Sequence, residues 1–237
     1  MIQKDLTILY YTSNTISDYF MKNTQDSLLN AVGDTPIVSV SFKPTVVGKN
    51  CTNIVVGEIQ RSVYRMYYQV LQAAREAKTE FCATAEDDML YHPSHFDYRP
   101  EGDLFAYNIN KWSMFSWTEP PFFSYRPRML MNSLIVRREA LIKNLEERYE
   151  KYPTYDKEEF EKMRKYWGEP GRFDDHLGIK SVKTEKFESE LPNVMFSTEE
   201  ALGFADLGKR KAHSKIRADE IPYWGTAEEV LSIYKKK

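Results

Sequence analysis

Three adjacent carboxylates, Glu86-Asp87-Asp88, follow the short run Phe81-Cys82-Ala83-Thr84-Ala85. Like charges this close repel one another unless a cation compensates. A hard divalent ion such as Mg2+ or Mn2+ supplies that compensation, taking one or two protein carboxylates together with phosphate oxygens and water. If the chain stays extended through the triplet, Glu86 and Asp88 point to the same side and can face one ligand. The competing reading is a solvated acidic loop. A second acidic pair, Asp174-Asp175, follows the loop WGEPGR and opens an expected short helix, where it also suits an acidic N-terminal turn. The four histidines are His92, His95, His176 and His213, and their spacing matches no zinc pattern.

Elements able to position these groups are legible along the chain. Residues 5–11 form a β-rich run ending at Thr12-Ser13-Asn14, and an amphipathic helix follows as far as Gly33-Asp34. A strand is expected from Pro36, a loop over 43–53, and a loop or edge strand at 54–57. Residues 58–78 contain neither Gly nor Pro and carry Val63, Met66, Tyr67, Val70, Leu71 and Ala74 at steps of three and four, a long amphipathic helix. The run 81–85 then reads as a buried strand. Further strands are expected at 103–107, 130–136 and 193–196, with helices over 138–152 and 155–166. Strand alternating with helix through the first 88 residues argues for βαβ units and a mostly parallel central sheet flanked by helices. We expect one domain over 1–197 and a C-terminal extension over 198–237 that completes the site.

The order of these segments resembles the GT-A fold nucleotide-sugar glycosyltransferases, particularly the family-2-like ones. It rests on DLTILYYTSN, the helix 58–78, FCATAEDD and NSLIVRREAL. It covers residues 5–150 and is looser beyond, and Glu86 departs from a strict D-x-D motif. The resemblance implies a Rossmann-like fold and a metal-dependent hexosyl- or pentosyltransferase. Such an enzyme moves a sugar from a nucleoside diphosphate, most commonly UDP, to an acceptor hydroxyl. It implies that Thr12, Ser13 and Asn14 line the nucleoside pocket, and that Arg61 and Arg65 reach the base or diphosphate. Asp88 would bind Mn2+ or Mg2+, with Glu86 or Asp87 facing the ribose or sugar. An inverting transfer needs a carboxylate base beside the acceptor hydroxyl. Asp174 and Asp175 resemble the family's late acidic pair, and Asp175 is preferred as that base. His213 and Lys215, in a segment with five basic residues in nine, resemble a C-terminal metal ligand and a diphosphate contact. The aromatic stretch 112–125 around Pro120-Pro121 is not expected to be regular core. It corresponds to the acceptor flank, with Trp112 and Trp117 offered for stacking on a sugar or a base.

Composition sets the outer limits. The chain has 237 residues, 33 Lys plus Arg against 35 Asp plus Glu, 16 Tyr, 13 Phe and 4 Trp. A net charge of -2 excludes a globally basic histone-like binder and an acidic disordered chain. Cys51 and Cys82 are too few for a disulfide framework and are expected to be reduced and partly buried. Neither a signal peptide nor a membrane span is legible, so a soluble, cytoplasmic protein is expected. Acceptors under consideration are a saccharide, a lipid-linked intermediate, a protein or a hydroxymethylated DNA base, the last for the basic residues near 126–138 and 209–217. A nucleotidyltransferase is the first alternative, although no glycine lies between 11 and 18 for a phosphate loop. A non-catalytic nucleic-acid-binding module is the second, and it leaves the acidic triplet idle.

Overall fold

The computed structural model describes residues 4–57, 61–116, 118–163, 165–197 and 215–234. Strand β1 (Leu6–Thr12) is buried along its whole length and leads to helix α1 (Asp18–Val32), capped by the Ser17 hydroxyl. Next come β2 (Ile37–Ser41) and β3 (Cys51–Val55). Helix α2 (Val63–Glu76) begins at Ser62, whose hydroxyl accepts from the Arg65 amide. Strand β4 (Phe81–Glu86) returns through the centre, and β5 (Met89–Leu90) follows after a two-residue turn. The chain then forms β6 (Phe105–Asn108), β7 (Lys111–Phe115), β8 (Phe122–Tyr125) and β9 (Leu134–Arg137). Helices α3 (Arg138–Lys151), α4 (Lys157–Met163) and α5 (Asp174–Leu177) precede β10 (Thr184–Phe187) and β11 (Asn193–Ser197). Short strands β12 (Arg217–Ala218), β13 (Glu220–Ile221) and β14 (Gly225–Thr226) and helix α6 (Ala227–Tyr234) complete the described chain.

The larger sheet has the order β10-β6-β9-β4-β1-β2-β3. All its strands run the same way except β9, which is antiparallel to both β4 and β6. The fold is therefore mixed α/β, with a mixed sheet flanked by helices. Strand β1 shows why both faces are covered. Leu6, Ile8 and Tyr10 pack with Leu28 and Val32 of α1, whereas Leu9 and Tyr11 pack with Tyr67, Val70 and Leu71 of α2. A near-continuous apolar strand is stable only where helices remove both faces from water.

A second sheet, β12-β8-β7-β11-β5, stands beside the first. It corrects the reading of residues 112–125, which form an antiparallel hairpin with Phe115 and Phe123 fully buried. The two prolines lie in the connection between the strands, where no ladder donor is lost. Trp112 is half-buried and packs 5.3 Å from Tyr125, centroid to centroid. Other boundaries shift in smaller ways. The strand expected at 130–136 is a 3-10 turn at Met131–Ser133 followed by β9, and the edge strand expected from 54 starts at Cys51. The described part of the C-terminal extension does not stand apart: β12 pairs with β8, and Ile221 and Val230 pack on Phe20, Phe123 and Phe196. No described helix is long and apolar enough to cross a membrane.

His95 lies in the seam between β5 and β6, stacked on Tyr91 and Phe187, with Nδ1 3.0 Å from the Asn108 amide nitrogen. Burial, and then the Lys111 charge, lowers its pKa to about 3. An unfolded histidine takes up its proton near pH 6.5, so the folded state binds fewer protons between pH 6.5 and 3. Stability from neutral His95 is complete above 6.5 and declines as the pH falls toward 3, by about 1.4 kcal/mol per unit at most. Urea unfolding of wild type and His95→Gln should show a stability gap that narrows between pH 6.5 and 4. A gap independent of pH would contradict this.

Candidate active site at the carboxyl edge of the sheet

Parallel strands β1, β2, β3 and β4 deliver their carboxyl ends to one edge, and antiparallel β9 delivers its beginning there. Ligand crevices of α/β sheets form at such an edge. Glu86, the last residue of β4, is held from both sides. Its Oε1 accepts from the Tyr11 hydroxyl at 2.6 Å, and its Oε2 accepts from the Asn132 amide at 2.9 Å. Its own amide donates to the Tyr91 hydroxyl, which in turn donates to the Asn132 carbonyl. Asp87 and Asp88 occupy the two-residue turn between β4 and β5. The Thr12 hydroxyl donates to the Asp87 carboxylate, and the Thr24 hydroxyl to the Asp87 carbonyl at 2.9 Å. Burial raises the Asp87 carboxyl to about 6. Glu86 adds to the rise, while the Thr12 hydrogen bond and the Arg61 charge oppose it.

The turn corrects the expectation that Glu86 and Asp88 face one ligand. That geometry requires extended backbone, and the chain reverses at 87–88, with the Asp88 carbonyl accepting from the Phe196 amide of β11. Among the described residues, no group of three or more His, Cys, Asp or Glu side chains converges to hold a metal ion. Asp87 and Asp88 remain two adjacent carboxylates at the strand end. Two is the number that Mg2+ takes when substrate phosphates and water supply the other oxygens.

The other expected site residues have distinct placements. Asn14 adopts a left-handed backbone (φ 52°), and its side chain joins two loops. Its Oδ1 accepts from the amides of Phe42 and Lys43, and its Nδ2 donates to Thr45. Thr12 is buried against Asp87, and Ser13 is half-buried with its hydroxyl 3.1 Å from that of Thr15. Arg61 is exposed at the head of α2 with its charge acting on Asp87. The Arg65 guanidinium instead lies 5.8 Å from the Tyr64 ring centroid. Asp174 is buried and bonded throughout: Arg148 donates at 2.8 Å, and the amides of Gly171 and Val182 donate to the other oxygen. Asp175 is exposed and accepts from Ser181. Lys215 is exposed next to β12. Trp117 and His213 lie outside the described residues.

Two groups escaped sequence reasoning. Lys111 heads β7 fully buried, donating to the Arg128 carbonyl, Asn132 Oδ1 and the Ser133 hydroxyl at 3.2–3.3 Å. Burial lowers its pKa to about 7, opposed by Glu86, Glu169 and Asp88 in that order. Its sequence signal is a lysine opening a mostly apolar strand, KWSMF. Glu169 is the second. Its neighbours are anchored on both sides, since Arg148 donates to the Gly168 carbonyl and Tyr107 to that of Pro170. Trp167 is buried among Tyr64, Tyr67 and Phe160, and a Cβ at Gly168 would stand 2.9 Å from the Phe173 ring. The Glu169 carboxylate is 13% exposed, 3.3 Å from Arg172, and its charge reaches Lys111 and Tyr67.

No protein-family model matches the chain, and no curated protein matches it. Solved structures that it resembles are glycosyltransferases. One is a glycosyltransferase involved in the glycosylation of the major capsid of PBCV-1. It has 12% identity and a TM-score of 0.45, over 83% of this chain and 95% of that one. A second is S. aureus TarS 1–349 in complex with UDP, at 10% identity and a TM-score of 0.43, over 84% of this chain and 62% of that one. A third is the glycosyltransferase GlyE of Streptococcus pneumoniae TIGR4, at 7% identity and a TM-score of 0.42, over 78% of this chain and 45% of that one. Likenesses this distant define neither an activity nor a ligand for this chain.

The Arg148–Asp174 pair, with neither side chain exposed, holds the loop that carries Glu169. Removing one member of a buried pair strands the other charge and costs about 3–5 kcal/mol. Asp174→Asn and Arg148→Met should each lower unfolding stability by that order in urea. An effect below about 1 kcal/mol would show that the pair is not what holds the loop.

Proposed function

We propose that the chain is a metal-dependent glycosyltransferase of the GT-A type, moving a hexose or pentose from a nucleoside diphosphate, UDP first among them, to an acceptor hydroxyl. The observation that carries this reading is the acidic turn Asp87-Asp88 at the carboxyl edge of the central strands, with Arg61 at the head of α2 acting on it. A helix N-terminus and a guanidinium both favour a phosphate anion. Carboxylates beside them favour a divalent cation between protein and phosphate. Asp88, with Asp87, would hold Mn2+ or Mg2+, which neutralises the departing diphosphate. Thr12, Ser13 and Asn14 would border the nucleoside and Lys215 the diphosphate, while Glu86, engaged on both oxygens by Tyr11 and Asn132, would hold the strand end behind them. His213 is retained in this reading as a further ligand.

Transfer with inversion breaks the bond from the anomeric carbon to the phosphate oxygen and forms one to the acceptor oxygen, whose proton must be accepted. Glu169 suits that role better than the pair at 174–175. Asp174 is spent on Arg148 and two amides, whereas Glu169 retains exposure and acts on the same lysine as Glu86 and Asp88. The acceptor would enter from the side of β9 and β7, and a saccharide or a hydroxymethylated DNA base would serve.

Calorimetric titration with UDP and UDP-sugars, with and without Mn2+, tests the donor reading. Wild type should bind in a metal-dependent manner and Asp88→Ala at least tenfold more weakly. Absence of metal-dependent binding for every nucleotide sugar would exclude it. For the base, Glu169→Gln should lower donor turnover by 10²–10⁴ while leaving UDP binding within about twofold, and Asp175→Asn should leave turnover near wild type. The reverse pattern would return the base to Asp175.

A further inference from the structure

The two faces of the second sheet have different neighbours. Met89 and Met195 pack with the first sheet, whereas Leu90, Met114, Phe123 and Val194 build a core on the opposite face. Trp112 and Trp224 close that core at its surface, each only half-buried. Trp112 is in register with Val194 of β11, and the Trp224 indole donates to the carbonyl of Pro192, two residues before Val194. The two indoles therefore meet the same stretch of chain from distant parts of the sequence. Tyr125, opposite Trp112 on β8, stands 5.3 Å from it. Tyr223 stands 4.7 Å from Trp224 and 4.5 Å from His92, centroid to centroid, and nearly perpendicular to both.

Packing does not explain Tyr223. It is 61% exposed, and it lies between β13 and β14 in left-handed backbone (φ 71°). That conformation strains a bulky side chain, and turns that need it favour Gly or Asn. A tyrosine kept there presents its ring to solvent at a cost to the turn. The charges that act on the outer rings are acidic. After β10 the chain carries Glu188 and Glu190 exposed on either side of buried Ser189, which the side-chain amides of Asn108 and Asn110 hold by its hydroxyl and its carbonyl. Burial raises the Tyr125 pKa and Glu188 adds to the rise, while burial lowers that of His92 against Glu190 and Asp97. Ring faces receive apolar C–H surfaces, and carboxylates accept hydrogen bonds from hydroxyls. A sugar ring offers both. We infer that His92, Trp112, Tyr223 and Trp224, with Glu188 and Glu190, form a binding surface for an uncharged oligosaccharide. A polyanion meets the wrong charge there, and rings already in edge contact leave no cage between them for an organic cation. The surface stands without the transferase reading. Within that reading it would hold an acceptor glycan away from the reacting sugar.

The test titrates the full chain, without nucleotide, with cello-, malto-, manno- and chitohexaose by calorimetry. A heparin hexasaccharide and choline serve as charged comparisons. At least one neutral hexasaccharide should bind, and more tightly than either charged probe. Tyr223→Gly should weaken that binding about tenfold or more, the scale of one stacking contact. It should not lower the melting temperature, because glycine relieves the strained turn. Tyr223→Phe should retain most of the affinity. Glu190→Gln, outside the turn, should lose severalfold, as expected for one hydrogen bond to a charged group. Binding of none of the four hexasaccharides, or binding unchanged in both Tyr223→Gly and Glu190→Gln, would overturn the surface. Tighter, Tyr223-dependent binding of the heparin hexasaccharide or of choline would overturn the choice of an uncharged sugar. UDP with Mn2+ should bind Tyr223→Gly within twofold of wild type. Failure of UDP to bind wild type, with Tyr223-dependent hexasaccharide binding intact, would overturn the transferase reading and keep the surface.

Discussion

Glu86 ends the central strand with a carboxylate that is already engaged on both oxygens, by Tyr11 from one neighbouring strand and by Asn132 from the start of the other. A partly buried carboxylate must be bonded in this way, because stripping water from an unpaired charge costs far more than the fold can spare. The requirement pins β1, β4 and β9 in register at the edge where the site lies. It also links the two sheets, since Asn132 passes the contact on to Lys111 of β7. Asp87 and Asp88 are then left in a turn whose position is set from behind. Thr12 and Thr24 hold Asp87 there, and the Phe196 amide holds the Asp88 carbonyl.

The same logic separates charges that build from charges that act. Arg148 and Asp174 are fully buried and satisfy each other together with backbone groups of the loop 168–182. What they set is the position of the loop that carries Glu169. Lys111 lies between these categories: it is buried and hydrogen-bonded, yet the charges of Glu86, Glu169 and Asp88 act on it. A cation held there without water acts on its neighbours much more strongly than one in solvent.

The large aromatic content divides in a similar way. Tyr64, Tyr67, Tyr149, Tyr152, Phe160 and Trp167 form one continuous cluster that covers α2 and anchors the loop bearing Glu169. Phe20, Phe123 and Phe196 form another between the second sheet and the C-terminal elements. The tyrosine hydroxyls account for the choice of Tyr over Phe: Tyr11 donates to the Glu86 carboxylate, and Tyr91, Tyr107 and Tyr152 each donate to a backbone carbonyl.

Local pattern was sufficient for β1, α1, β4 and most of α2, because each is specified by short-range periodicity; it placed the start of α2 at 58 rather than after the Ser62 cap, and it read the acidic triplet as extended where the chain turns. It was also enough to place Glu86-Asp87-Asp88 at a strand end. It misjudged 112–125, since two short strands broken by prolines look irregular until a second sheet supplies their partners. It could not rank Asp174 against Glu169. Which acid is neutralised depends on Arg148, 26 residues away from Asp174 and carried by a different helix. Nor could it pair β12 with β8, which sets Arg217 opposite Ser124 and over the Phe122 ring. Residue type and spacing therefore determine the kinds of chemistry this chain carries. Burial and long-range pairing, which exist only once the chain has closed on itself, decide which of those charges are spent inside the fold, as Asp174 is on Arg148, and which stay at its surface, as Asp175 does.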